Sequence, residues 1–291
     1  MRRTQMFSIV VFVIAVVSFA VFQFRSYVLT DRTGPSIAME EERVTVSVDA
    51  DDGQLLAGIS AVDDKDGDVS DSLMVESLSN FIAENTRQMT FAASDSDGHV
   101  VKGYREIVYS DYRSPRFSLT QPLRFRVGTE NILEGVGAQD VLDGDISSNI
   151  KISANYSLSV NQAGDYPMEF TVANSAGDVA RLPVTVTLYT AEDEANRPQI
   201  ELSDYLVYTP AGAELDAWDY VQGITVRGTE FVRSGDVLRA DDPEERAIDD
   251  SDLSIQDDVD YQTPGAYEIT YRYTADDGET GTVRLVVVVT D

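Results

Sequence analysis

Across residues 114–189 the chain is cut into short runs that alternate apolar and polar side chains. Each run is closed by a Gly, Asp or Asn turn. A period of two turns one face of each run inward and the other toward water, which is the pattern of an antiparallel sandwich. The stretch opens on Ser114-Pro115 and carries alternating runs at 123–127, 168–172 and 182–188. Between them stand Asp143-Gly144-Asp145-Ile146, Gly164-Asp165-Tyr166 and Asn174-Ser175-Ala176-Gly177-Asp178. About eighty residues holding six or seven such strands fit one immunoglobulin-like domain.

The segments on either side read as copies of this one. X-Pro steps recur at Gly34-Pro35, Ser114-Pro115 and Arg197-Pro198, and a proline at a strand entry suits an edge strand because it has no ladder donor. Asp-Gly-Asp recurs at Asp66-Gly67-Asp68-Val69, and the late turn recurs as Asp97-Gly98, Ala176-Gly177 and Asp277-Gly278. The first copy has Glu84-Asn85-Thr86-Arg87 where the others have Gly-x-Tyr. The third lacks Asp-Gly-Asp and has an insertion at 228–250. The pattern predicts an all-β chain of three tandem immunoglobulin-like sandwiches at 34–112, 113–191 and 192–291, the last divergent. Short polar linkers, Tyr112-Arg113 and 191–196, predict a semi-rigid string.

Residues 6–24 are apolar apart from Ser8, Ser18 and Gln23. At 1.5 Å per residue such a run covers roughly 29 Å, close to a bilayer core. Arg2 and Arg3 precede it, so the positive-inside rule places 1–5 as a cytoplasmic tail and everything after Arg25 outside. Ser18-Phe19-Ala20 would suit a cleaved signal peptide, but the apolar run continues through Val21, Phe22 and Phe24. The expectation is an uncleaved signal-anchor, a 25–33 linker and a single-pass protein of a bacterial cell membrane with its C-terminal domains outside.

Charge and cysteine usage narrow the function. The chain has 51 Asp+Glu against 22 Lys+Arg, a formal charge of −29, which repels nucleic-acid phosphates and favours cationic partners and divalent metals. With no cysteine there is no disulfide, thiolate nucleophile or lipidated Cys, so packing alone must stabilise each domain.

At Asp-Gly-Asp-Ile/Val, Gly-x-Tyr and the Gly turn before a Val-rich last strand, the chain resembles bacterial Ig-like surface repeats of the DUF5011 type. The middle copy matches best, and the three together cover nearly everything after residue 33. The resemblance implies sandwich domains and an exported, non-catalytic role in spacing, adhesion or ligand presentation.

Two features carry candidate chemistry. Asp64, Asp66 and Asp68 gather carboxylates around a glycine turn, the ligand type Ca²⁺ takes in sets of six to eight oxygens. Equally, Asp side chains in such turns accept backbone N–H bonds while Gly takes positive φ. Trp218 and Tyr220 form an aromatic pair suited to a sugar or protein partner, or to a core plug. Tyr166 and Tyr267 suit tyrosine corners, and the acidic stretch 241–258 reads as a solvated loop. His99 is the only histidine, so a triad has little to stand on, and the Asn155-Tyr156-Ser157 sequon is read as incidental.

The expected function is a non-enzymatic, membrane-anchored cell-surface spacer, adhesion or ligand-binding module, without nucleic-acid partners and with no cofactor beyond the calcium considered above. The alternative is an accessory or sensory subunit of an envelope complex whose transmembrane helix contacts a membrane partner.

Overall fold

A proline just ahead of a strand leaves the donor side of that strand unpaired, and the fold uses it three times. In the computed structural model, strands Ser36–Met39, Arg116–Leu119 and Gln199–Leu202 follow directly on Pro35, Pro115 and Pro198, and each lies at the edge of its sheet. The structure describes residues 2–29, 32–153, 161–194, 197–242 and 245–291, without the side chains of 2–5, 26–29 and 193. The sequon at 155–157, Pro243-Glu244 and the Ala195-Asn196 end of the second linker lie outside the described residues, as do the side chains of Arg2 and Arg3.

Two compact units, Met1–Tyr112 and Arg113–Asp291, divide the chain. The first opens with the helix Arg2–Leu29, which contains a 20-residue span, Met6–Arg25, of mean hydropathy 2.6 and with none of it buried. It is apolar all round rather than along one stripe, as a helix long enough to cross a membrane would be.

The first sandwich pairs Ser36–Met39, Ile59–Asp63 and Gly67–Asp68 in one sheet. The other sheet orders Arg43–Val46, Val100–Tyr109, Thr86–Ser94 and Met74–Ala83. Arg43–Val46 runs parallel to the last strand; the remaining pairs are antiparallel. Met89, Phe91 and Ile107 are buried between the sheets, as their alternation requires. Where this copy lacks Gly-x-Tyr, Asn85 takes φ 51° between two long strands, a backbone state asparagine tolerates better than most residues. Arg105, 3% exposed, donates to the carbonyls of Glu41, Leu55 and Ala57, fastening the helical turn Asp52–Leu55 to the sheet.

The second unit repeats the arrangement twice. Arg124–Arg126 runs parallel to Val179–Tyr189, and Leu206–Pro210 runs parallel to Thr280–Thr290, as Arg43–Val46 does in the first copy. Phe117, Phe125, Phe170 and Leu182 centre one core; Ile224, Leu238, Tyr271 and Leu285 centre the other. Tyr166 donates to the Gln162 carbonyl at 2.9 Å and Tyr267 to that of Thr263 at 3.0 Å, so both phenols bond back to upstream backbone.

One expectation is corrected here, the reading of 241–258 as a solvated loop, and three features the sequence left open are filled in. The insertion in the third copy is a hairpin, Thr229–Ser234 with Val237–Ala240, that widens its sheet. The acidic stretch after it is not all loop, because Leu253–Asp257 pairs as a strand with Gly265–Thr274 and buries Leu253. Linker residues Ala191–Glu194 form a helical turn. The second and third sandwiches are also not merely strung end to end. Outward-facing residues of Val179–Tyr189 lie against outward-facing residues of Gly265–Thr274 and Thr280–Thr290, and Val286 is buried in the second sandwich's core cluster.

Candidate functional site

The Asp-Gly-Asp turns come first. In the first copy, Asp63 Oδ1 accepts from the amides of Lys65 and Asp66, both at 2.9 Å, while Gly67 takes φ 75°. Asp66 then reaches the late turn, accepting from Ser96 N and Oγ at 2.9 Å each. Asp68 accepts from Ser70 N at 3.0 Å. The second copy repeats every bond: Asp140 with Leu142 and Asp143, Asp143 with Ser175, and Asp145 with Ser147. The turn is therefore a clamp that ties two loops together at one end of the sandwich.

Of the three residues proposed to bind calcium, Asp66 and Asp68 spend carboxylate oxygens on these clamps, and Asp64 is exposed. Lys65 pairs with Asp97 beside them. Among the described residues no three His, Asp or Glu side chains gather closely enough to hold a metal ion.

The third copy keeps half of the clamp without its glycine. Asp249 accepts from Ser251 N at 3.0 Å and Oγ at 2.5 Å, ahead of a 3-10 turn like those after Asp68 and Asp145. An Arg227–Asp277 ion pair supplies the tie to the late turn. The shared signal in sequence is Asp-x-Ser, at Asp68-Val69-Ser70, Asp145-Ile146-Ser147 and Asp249-Asp250-Ser251.

Hydrogen bonds from these serines hold Asp68, Asp145 and Asp249 below the ordinary carboxylate value of 3.8. A depressed folded-state pKa contributes stability that is complete above the unfolded value and disappears as pH falls through the folded one. Melting midpoints should therefore hold steady from about pH 7 to 5 and fall below about pH 4. Ser70→Ala, Ser147→Ala and Ser251→Ala combined should flatten that acid limb. An unchanged limb in circular-dichroism melts would show that the serines do not set it.

Trp218 and Tyr220 are half-buried and pack against the third core. Arg233 lies over the indole, 5.3 Å from its centroid, and donates to the carbonyls of Trp218 and Val221.

The joint between the second and third sandwiches is where sequence reasoning missed most. Glu268 accepts from Thr185 N at 2.6 Å and Oγ1 at 2.9 Å. Arg284 donates to Thr187 Oγ1 at 2.8 Å and to Asp165 Oδ2 at 2.6 Å. Tyr208 meets the Phe117 backbone, accepting from its amide at 2.8 Å, with Arg116 stacked 4.7 Å from the ring centroid. Arg124 forks onto both carboxylate oxygens of Glu194 and stacks on Tyr189. Beside this seam is a cavity of about 180 Å³ lined by Arg124, Arg197, Arg272, Arg284, Asp165 and Thr187.

Comparison with known proteins follows the same lines. Residues 222–289 match the family described as bacterial surface protein, Ig-like domain. Over 193 residues, 65% of its length, the chain is 26% identical to an uncharacterized 81.3 kDa protein of Acholeplasma phage L2, of which it spans 22%. Among solved structures it is similar to the catalytic and CBM51 domains of Clostridium perfringens ZmpB, at 13% identity and TM-score 0.23, covering 90% of this chain and 31% of that one. A protocadherin GammaB4 extracellular domain gives 15% and 0.21, with 90% and 51% covered. A lipoprotein of Bacteroides thetaiotaomicron gives 12% and 0.24, with 59% and 98% covered. The third sandwich is thus similar in sequence to the Ig-like domains of bacterial surface proteins.

Proposed function

We propose that this chain is a non-enzymatic display module, held in a cell membrane by its N-terminal helix and carrying sandwiches outside for adhesion or ligand binding. The observation that carries this reading is the match of residues 222–289 to a surface-protein Ig-like family. The apolar span Met6–Arg25 supports anchoring, because 20 residues suffice to cross the hydrocarbon core. The fused second and third sandwiches suit presentation of a fixed surface, since the seam restrains their relative motion at the binding end.

The absence of cysteine makes topology directly measurable. Glu214→Cys places a thiol at an exposed position of the third sandwich. In cells expressing the full chain, a membrane-impermeant maleimide should label this variant before lysis, and the labelled chain should stay with the membrane after an alkaline wash. Labelling only after lysis would overturn external display. External labelling with release by the wash would overturn the anchor and favour a cleaved leader.

A further inference from the structure

In a chain with 51 acidic and 22 basic residues, four arginines around one small cavity stand against the general charge. Two of them are matched. Arg124 is forked onto Glu194, and Arg284 is shared between Asp165 and Glu268. Among the described residues, neither of the other two is within ion-pair distance of a carboxylate. Arg272 donates to the amide oxygen of Gln256 at 3.3 Å, and its charge acts on Asp165 only from longer range. Four guanidinium groups against three carboxylates leave an excess positive charge in a partly enclosed space.

Asp165 does not cancel this excess. Burial pushes its carboxyl up, but hydrogen bonds from Thr187 and Arg284 and the charges of Arg284 and Arg272 outweigh that and hold it low. It is already committed on both oxygens, Oδ1 to Thr187 and Oδ2 to Arg284.

We infer that this cavity is a binding site for a tetrahedral oxyanion, a phosphate or sulfate group, seated between Arg197 and Arg272 at the seam of the second and third sandwiches. A guanidinium presents parallel N–H donors in a rigid fork that matches phosphate and carboxylate oxygens. A carboxylate presents two oxygens in one plane, whereas a tetrahedral oxyanion presents its oxygens in several directions and so can take forks from more than one side. Size points the same way. At about 180 Å³ the cavity is smaller than the roughly 300–1,000 Å³ of pockets that enclose whole drug-sized ligands, so it suits one anionic head group with the rest of the ligand outside. The site draws on both sandwiches, since Arg124, Asp165 and Thr187 come from the second and Arg272 and Arg284 from the third. An anion held there would brace the seam. This inference does not depend on which side of a membrane the chain occupies.

The test is titration calorimetry on the full chain in detergent, with inorganic phosphate, inorganic sulfate, glycerol phosphate and glycerol as probes at low ionic strength. Phosphate or sulfate should bind and raise the melting midpoint, whereas glycerol, and chloride at matched ionic strength, should do neither. Arg197→Ala with Arg272→Ala should weaken binding at least tenfold while the unliganded midpoint stays near wild type. Arg197→Gln with Arg272→Gln, which keeps more of the stem packing, should lose the same binding. Glycerol phosphate binding as well as inorganic phosphate would assign the site to a pendant phosphate on a larger molecule. Binding of the inorganic ion alone would assign it to the free anion. Equal binding by wild type and both double variants, or an effect that chloride reproduces, would overturn the site.

Discussion

Gly281→Ala should lower the midpoint of the third sandwich's unfolding by about 10 °C or more. A Cβ built on Gly281 would lie 2.0 Å from the Pro198 carbonyl oxygen and 2.7 Å from its carbon, and both are backbone atoms with no flexible end to swing away. Gly281 is buried and pairs with Tyr273 within the longest ladder of the sheet, so relief requires moving either that strand or the entry to Gln199–Leu202. Overpacking of this kind costs about 1–3 kcal/mol and sometimes more, and a domain of 60–100 residues loses about 4–8 °C per kcal/mol. The other copies supply the control. Counted from the turn glycine, the same place is held by Val101 and Ala180, so the glycine answers a close approach particular to the third copy rather than a demand of the fold. Trp218, the only tryptophan, packs on this core, and its fluorescence reports the transition directly. A shift under about 2 °C would mean that the chain before Gln199 yields easily, and the close approach would then be no constraint.

Most of the strand plan was legible because burial follows alternation. Phe170, Val172, Val184, Val186 and Leu188 point inward in the order their spacing dictates. The seam was not legible, because residues that face a neighbouring sandwich look like residues that face water. Thr185, Thr187, Glu268 and Arg284 are polar and occupy outward positions. The one signal was the unbroken run Val286-Val287-Val288-Val289, where apolar residues on both faces mark a strand covered on both sides. The candidate site is legible in its acids but not in their partners. The Asp66 carboxylate lies in a tight turn whose sequence does not name what it accepts from. Its bonds to Ser96 are thirty residues away in sequence and appear only once the two loops meet. The clamp of the third copy is hidden because that copy has no Asp-Gly-Asp; what it shares with the other two is Asp-x-Ser.

Asn174→Asp should destabilise the second sandwich by about 3 kcal/mol, and Asp95→Asn should stabilise the first, because the two copies solve one buried contact differently. In the second copy Asp140, 7% exposed, receives a hydrogen bond on Oδ2 from Asn174 Nδ2 at 3.1 Å. Asn174 Oδ1 meanwhile accepts from the amides of Ala176 and Asp178. In the first copy Asp95 stands where Asn174 stands, and its Oδ1 accepts from Asp97 and His99 in the same way. A carboxylate has no donor to offer, so its Oδ2 turns to His99 Nδ1 at 2.6 Å, and Asp63 Oδ2 is left buried without a partner among the described residues. A buried acceptor left unsatisfied costs about 1–3 kcal/mol, so restoring the amide should raise the first sandwich's midpoint despite the lost histidine contact. The reverse change is worse. It sets a second carboxylate beside Asp140, and the position equivalent to His99 is Asp178, a third acid. Adding Asp178→His to Asn174→Asp rebuilds the first copy's arrangement and should recover part of the loss. Circular-dichroism melts of the full chain at pH 7 decide it. If Asn174→Asp melts with wild type, or the added histidine recovers nothing, then the Asp140–Asn174 contact is not what holds the two loops of that sandwich together.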